Sequence, residues 1–162
     1  MDFQNAFDVA VTVDAVYDAL LDLERVVPCL PGAEVLGHDG DSLSVMVKVR
    51  VGATSLQYRA GVSVVGRDDR SHRASLAIRA RETRGQGTAD ATAQLQLEPH
   101  GAGTHVQLST ELKLTGKVAT MGRGIIAAVS EHLVEQFSRN LFAMLESADP
   151  SAGSPPGLTA VT

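Results

Sequence analysis

Residues 104–146 read THVQLSTELKLTGKVATMGRGIIAAVSEHLVEQFSRNLFAMLE, a strand pattern that passes within a few residues into a helix pattern. Its first part alternates. Val106, Leu108, Leu112 and Leu114 point one way while Gln107, Ser109, Glu111 and Lys113 point the other, the period-2 signature of a strand with one wet face and one covered face. At Gly116 the period changes. Val118, Met121, Ile125, Val129, Leu133, Phe137, Leu141 and Leu145 recur at three- and four-residue steps, which predicts a helix over 118–146 about 40 Å long. A strand that feeds directly into so long an amphipathic helix lays that helix across the covered face of its own sheet.

Five more strand-like runs precede it, at 34–38, 42–51, 55–66, 73–84 and 88–98. They are separated by turn signals such as Asp39-Gly40-Asp41, Gly52-Ala53, Asp68-Asp69 and Gly85-Gln86-Gly87. Connections this short predict antiparallel hairpins in one meander. Residues 7–11 read as a first strand, and an amphipathic helix follows through Val16, Tyr17, Leu20, Leu21 and Leu23, capped by Thr12 or Asp14. A short helical turn over Glu24–Val27 is stopped by Pro28 and Pro31. The expected fold is therefore α+β: a curved antiparallel sheet of about seven strands wrapped around a long C-terminal helix, with one or two short helices after the first strand. Residues 1–147 form the domain. The Ser-Ala-Asp-Pro-Ser-Ala-Gly-Ser-Pro-Pro-Gly composition of 148–162 predicts a disordered tail.

Strand parity places four alanines, Ala80, Ala89, Ala91 and Ala93, on the covered face, with Leu76, Ile78, Tyr58 and Ala60 beside them and Met121, Ile125 and Val129 opposite on the helix. Aromatic residues make up 4% of the chain and Trp is absent, so large rings do not fill the space. Either the helix approaches the alanines closely, or a ligand-sized hollow remains; sheet twist disfavours close approach across the whole width. Leu30, Tyr58, Ile78, Ala80, Ala91, Ala93, Met121, Ile125 and Val129 are the candidate ligand-binding residues. Glu82 also falls on the inward parity. A bulge near Gly85 that turns it outward is the expected outcome, because an unpartnered buried carboxylate is costly.

The rest of the composition is restrictive. A net charge of −5 offers no basic face for nucleic acid and no polybasic patch for a membrane. The lone Cys29 has no partner for a disulfide, which suits a reducing cytoplasmic setting, and no apolar run has the length of a membrane span. The N-terminal MDFQNAFDV lacks the features of a signal peptide. His38, His72, His100, His105 and His132 lack metal-ligand spacing and are expected on the surface, so no metal is expected. Gly122-Arg123-Gly124 lacks the fuller phosphate-loop pattern and reads as a close-packing or gating feature.

Two segments carry a resemblance. One is Val26-Val27-Pro28-Cys29-Leu30-Pro31-Gly32-Ala33-Glu34, just after the first helix; the other is Gly116-Lys117-Val118-Ala119-Thr120-Met121-Gly122-Arg123-Gly124-Ile125-Ile126, with the Val51-Gly52 hairpin step between them. Together they resemble the CoxG family of carbon monoxide dehydrogenase subunits, within the START/polyketide-cyclase-like (SRPBCC) superfamily, over roughly residues 7–146. The resemblance implies a helix-grip fold and a non-catalytic accessory of a molybdenum-containing hydroxylase, holding a quinone without covalent attachment. It also implies a peripheral place at the inner face of the cell membrane. Sixteen residues follow Glu146 with no apolar stretch, so membrane contact is expected to be peripheral at most. Two other readings stand beside it. One is a cyclase or dehydratase acting on an aromatic or polyketide-like substrate, with Tyr58, Glu82 and Thr110 as its only inward polar groups. The other is a protein-interaction adaptor whose cavity is incidental.

Overall fold

The computed structural model describes residues 1–148 of the 162-residue chain. The disordered tail expected at 148–162 lies, but for its first residue, outside the described residues. The order of elements is β1 (Asp2–Val9), α1 (Val13–Leu21), α2 (Leu23–Val26), a 3-10 turn (Val27–Cys29), β2 (Ala33–Asp39), β3 (Ser42–Val51), β4 (Thr54–Asp68), β5 (Arg73–Glu82), β6 (Thr88–His100), β7 (Gly103–Leu114), a second 3-10 turn (Lys117–Thr120) and α3 (Arg123–Ala148). The seven strands form one antiparallel sheet in the order β1-β7-β6-β5-β4-β3-β2. This is the expected meander, with β1 closing onto β7 because the chain crosses the sheet once through α1 and α2.

The largest departures from the sequence reading lie at the two ends of the chain's first strand and at the start of its last helix, while the N-cap is where the sequence put it. β1 begins at Asp2 rather than residue 7 and ends at Val9, paired along its length from Asp2↔Glu111 to Val9↔Thr104. Thr12 occupies the N-cap of α1 but makes no side-chain cap hydrogen bond. The last helix is interrupted: residues 117–120 form a tight turn, Gly122 breaks the chain's course, and α3 proper starts at Arg123. Arg123 fastens that start to β1, donating to the Asp2 carbonyl at 2.8 Å with its guanidinium 4.8 Å from the Phe3 ring.

Two close backbone approaches account for Gly32, Gly87 and Gly116; at Gly122 and Gly124 an added Cβ would meet nothing within 4 Å, so that pair is not a close-packing feature. Gly32, at φ +81°, lies so near β3 that a Cβ there would sit 2.2 Å from the Lys48 carbonyl oxygen, and Lys48 N–H donates to Gly32 O at 2.9 Å. Gly87 and Gly116 press against one another's strands: a Cβ on Gly116 would meet Gln86 O at 2.0 Å, and one on Gly87 would meet Thr115 O at 1.9 Å. Both glycines have positive φ. Only residues without a side chain permit these contacts. The Pro-Gly loop is thereby sealed onto the sheet, and the root of the last helix is pinned to the β5–β6 turn.

Among the described residues, the buried hydrophobic ones fall into three clusters. The first, around Leu141 (0% exposed), gathers Val9, Val11, Val16, Tyr17, Leu20, Leu97, Val106 and Leu145 where α1 meets the far end of α3. Phe137 packs edge-on to Phe7 there, with ring centroids 6.3 Å apart. The second joins Phe3, Val51, Leu56, Tyr58, Val118 and Ile126 at the near end. The third joins Leu43, Val45, Ala60 and Val62 under the 23–27 segment. Leu23 packs against both the first and the third, and Ala80 against both the second and the third, so the clusters are joined through partly buried side chains.

Candidate ligand-binding site

The strand register sets out the floor of the site in rows. Ala60, Ala80, Ala89 and Leu114 lie side by side; the next row is Val62, Ile78, Ala91 and Leu112; the next is Val64, Leu76, Ala93, Thr110 and Phe3. Side chains in such rows share one face of the sheet, so the alanines and their apolar neighbours all face α3. Their outward neighbours Arg79, Arg81 and Asp90 are exposed, as parity requires.

α3 meets the sheet mainly at its flanks. Its substantial backbone contacts are with β1 at one edge, with β3 near the other, and with α1 and the 27–29 turn. Ile78, Ala80, Ala89, Ala91, Leu112 and Leu114, although inward, all keep partial exposure, as do Met121, Val129 and Leu133 on the cover. Fully packed inward residues between a sheet and a helix would have none. Ala91 and Leu133 join none of the three clusters.

The candidate residues fall into three groups. Tyr58, Ile78, Ala80, Ala91 and Ala93 stand together on the floor. Tyr58 and Ala93 are buried, and the other three are partly open. Leu30, partly open, sits at the Pro-Gly loop, where its N–H bonds to Val27 O at 3.0 Å. Met121 and Val129 face Tyr58 and Ile126 in the near-end cluster. Ile125 departs from them: it is 46% exposed, and Ile126 takes the inward position at 6%. The reason is geometric. A helix turns 100° per residue, so each four-residue step drifts by about 40° and five such steps, from 145 back to 125, by about 200°. Ile125 thus ends on the far side of the helix from Leu145.

Glu82 corrects the sequence reading. It faces inward and is 1% exposed, directly opposite Tyr58 in the β4–β5 register. Its cost is met by backbone. Gln57 N–H donates to Oε2 at 2.9 Å, and Arg84 N–H and Gln86 N–H donate to Oε1 at 2.7 and 3.4 Å, with the Arg84 guanidinium 3.5 Å away. These amides, the Gln57 one foremost, hold the carboxyl below its ordinary range despite burial. The β5–β6 turn folds its own amides over the side chain, and no sequence pattern announced this. A carboxylate so engaged has little basicity left for proton transfer.

The sign of its pH effect follows. A depressed folded pKa contributes stability above the unfolded carboxylate value, about 4.3, that is lost as pH falls through the folded pKa. Glu82→Gln is expected to lower Tm clearly at neutral pH, with the gap to wild type shrinking below about pH 4. Thermal melts across that range read it; a gap that does not change with pH would contradict the assignment.

Other titratable groups serve structure. Burial pushes the Cys29 thiol up, Met144 Sδ lies 3.8 Å from it, and its carbonyl accepts from Asn140 Nδ2, so it is a packed, inert thiol. His72 is less solvated than its turn position suggests: it stands edge-on to Tyr17 and 2.7 Å from Asp14. A groove of about 660 Å³ lies on the opposite, solvent face of the sheet, lined by Gln4, Gln94, Gln96, Gln107 and Ser109 among others. Arg67, Asp68 and Arg73 also line it, so it is a polar and charged groove, a poor match for a lipophile.

The family model of CoxG, a carbon monoxide dehydrogenase subunit, matches residues 6–146. No curated protein matches the sequence. Among solved structures, a conserved protein from Geobacillus kaustophilus superposes with a TM-score of 0.80 at 18% identity, covering 91% of this chain and 97% of that one. An aromatase/cyclase from Streptomyces sp. R1128 gives 0.64 at 15% identity, over 94% and 98% of the two chains. A START superfamily protein from Mycobacterium smegmatis gives 0.60 at 12%, over 91% and 99%. At such identities the likeness is one of fold: a long helix gripped by a curved antiparallel sheet, as in the START superfamily protein. Among the described residues, no helix is long and apolar enough to cross a membrane.

Proposed function

Because the chain belongs to the CoxG family of carbon monoxide dehydrogenase subunits, we propose that it is a non-catalytic binding protein for a hydrophobic small molecule, a quinone, accessory to a molybdenum-containing hydroxylase of the carbon monoxide dehydrogenase type. The observation that carries this reading is the apolar floor facing α3: Ile78, Ala80, Ala91 and Leu112 lie in adjoining register rows on that face and keep partial exposure. An apolar space of this kind gains free energy when an apolar ring displaces its solvent, about 25 cal/mol per Å² covered. The quinone binds reversibly, and the protein works on the cytoplasmic side with at most peripheral membrane contact.

The cyclase alternative shares the fold of the Streptomyces aromatase/cyclase. It needs acid–base groups in the site, and Glu82, its best candidate, is occupied by backbone amides. Binding without turnover is the better match. Organic extraction of the purified protein is expected to yield a lipophilic molecule, or added menaquinone to raise Tm by several degrees, as tight binding to the native state alone requires. An empty extract together with an unmoved Tm would sink the reading.

A further inference from the structure

Tyr58 poses a problem that apolar packing does not solve. It is 7% exposed and belongs to the near-end cluster with Phe3, Val51, Leu56, Val118 and Ile126. Its hydroxyl is shut off from water and has no hydrogen-bond partner among the described residues. Buried hydroxyls are nearly always paired, because an unpaired one forfeits its bonds to water. The residue opposite it, Glu82, does not supply the partner: its oxygens take the amides of Gln57, Arg84 and Gln86. Phenylalanine would fill the same volume without the penalty. The hydroxyl therefore points to a partner that arrives with the ligand.

We infer that Tyr58 is the orienting donor of the site, its hydroxyl donating to a neutral carbonyl oxygen on the ring of the bound molecule at the end of the hollow nearest Val118 and Ile126. The inference rests on the ligand-binding reading and adds the chemistry of the ligand's buried end. Three features define that chemistry. Burial first, and the Glu82 charge second, raise the phenol's pKa, so the group stays protonated and able to donate. The Glu82 carboxylate beside it repels an anionic head group. Arg84, the cation paired with that carboxylate, is already committed to the Ser55 carbonyl at 2.8 Å, and Arg123, over the Phe3 ring, to the Asp2 carbonyl at 2.8 Å. A fatty-acid carboxylate would meet the Glu82 charge here, whereas an uncharged ketone or quinone oxygen finds a donor.

The test compares 2-methyl-1,4-naphthoquinone with 2-methylnaphthalene, the same skeleton without its two oxygens, on wild type and Tyr58→Phe by calorimetric titration. Loss of one such hydrogen bond is expected to weaken the quinone about tenfold and leave the hydrocarbon unchanged. The free Tyr58→Phe protein is expected to melt at a slightly higher temperature than wild type, since an unpaired hydroxyl has been removed. Equal quinone affinity in both proteins overturns the role of Tyr58 while leaving the binding reading intact. A lower Tm in the free variant also overturns it, because it shows that the hydroxyl already has a partner. If wild type binds neither compound, the binding reading and the role of Tyr58 fall together.

Discussion

Ala91→Phe is expected to weaken quinone binding about a hundredfold while leaving Tm within about 2 °C of wild type, under 1 kcal/mol for a domain this size. Ala91 stands at the centre of the floor between Ile78 and Leu112, partly open under α3 and outside every buried cluster. A phenyl ring there occupies the volume a ligand ring needs. Burying such a ring is worth roughly 2–3 kcal/mol, so its displacement corresponds to a loss of about a hundredfold in affinity. The two readouts separate a hollow from a packed core. If α3 already filled the space, the added ring would overpack it, at about 1–3 kcal/mol, and Tm would fall by roughly 3–10 °C. Unchanged binding in a folded Ala91→Phe variant would place the ligand elsewhere.

The second large effect concerns the root of the helix. Gly116→Ala is expected to destabilise the protein by about 3–4 kcal/mol. Gly116 has φ +82° and ψ −152°, a region only glycine occupies at low cost, and its added Cβ would sit 2.0 Å from Gln86 O. Relieving that overlap pushes the β5–β6 turn away. It strains the Lys117 N–H to Gln86 O bond at 3.0 Å and the pairing of Thr88 with Thr115, bonded at 2.8 Å through Thr88 N–H and at 2.7 Å between the hydroxyls. Gly87→Ala meets the same wall from the other side, so the double variant should cost less than the sum of the singles. Gly124→Ala, with nothing within 4 Å of its added Cβ, serves as the control and is expected to be neutral or slightly stabilising. Urea unfolding measures all four variants. A Gly116→Ala cost below about 1 kcal/mol would mean that the two loops are not locked.

Much of this architecture was legible in the sequence because β-structure writes its register at a period of two. The alternation of Leu43, Val45, Val47, Val49 and Val51 fixes one face of β3, and the same parity carried across the hairpins puts Ala80, Ala89 and Ala91 on that face, as the register does. The helix was legible in kind but not in phase. A stripe written in four-residue steps drifts around a 3.6-residue helix, so reading it as one continuous face placed Ile125 inward where Ile126 stands. The break at Gly122 had the same origin, since periodicity runs through a residue whose effect is local. Glu82 was misjudged for a different reason. Whether a carboxylate can face inward depends on where backbone amides lie after the β5–β6 turn has formed, and Gln57, Arg84 and Gln86 reach it only in three dimensions. The mutual fit of Gly87 and Gly116 is likewise a contact between residues distant in sequence.

On the proposed function, an apolar ligand occupies the middle of the sheet beneath α3. Methyl-resolved NMR of the protein titrated with 2-methyl-1,4-naphthoquinone reads that position. A ligand held there produces saturable shifts at the methyls of Ile78, Ala91, Leu112 and Val129, with Leu141 and Leu145 in the far-end core unmoved. Shifts confined to exposed methyls such as those of Leu36 and Val65, or none at all, would contradict it.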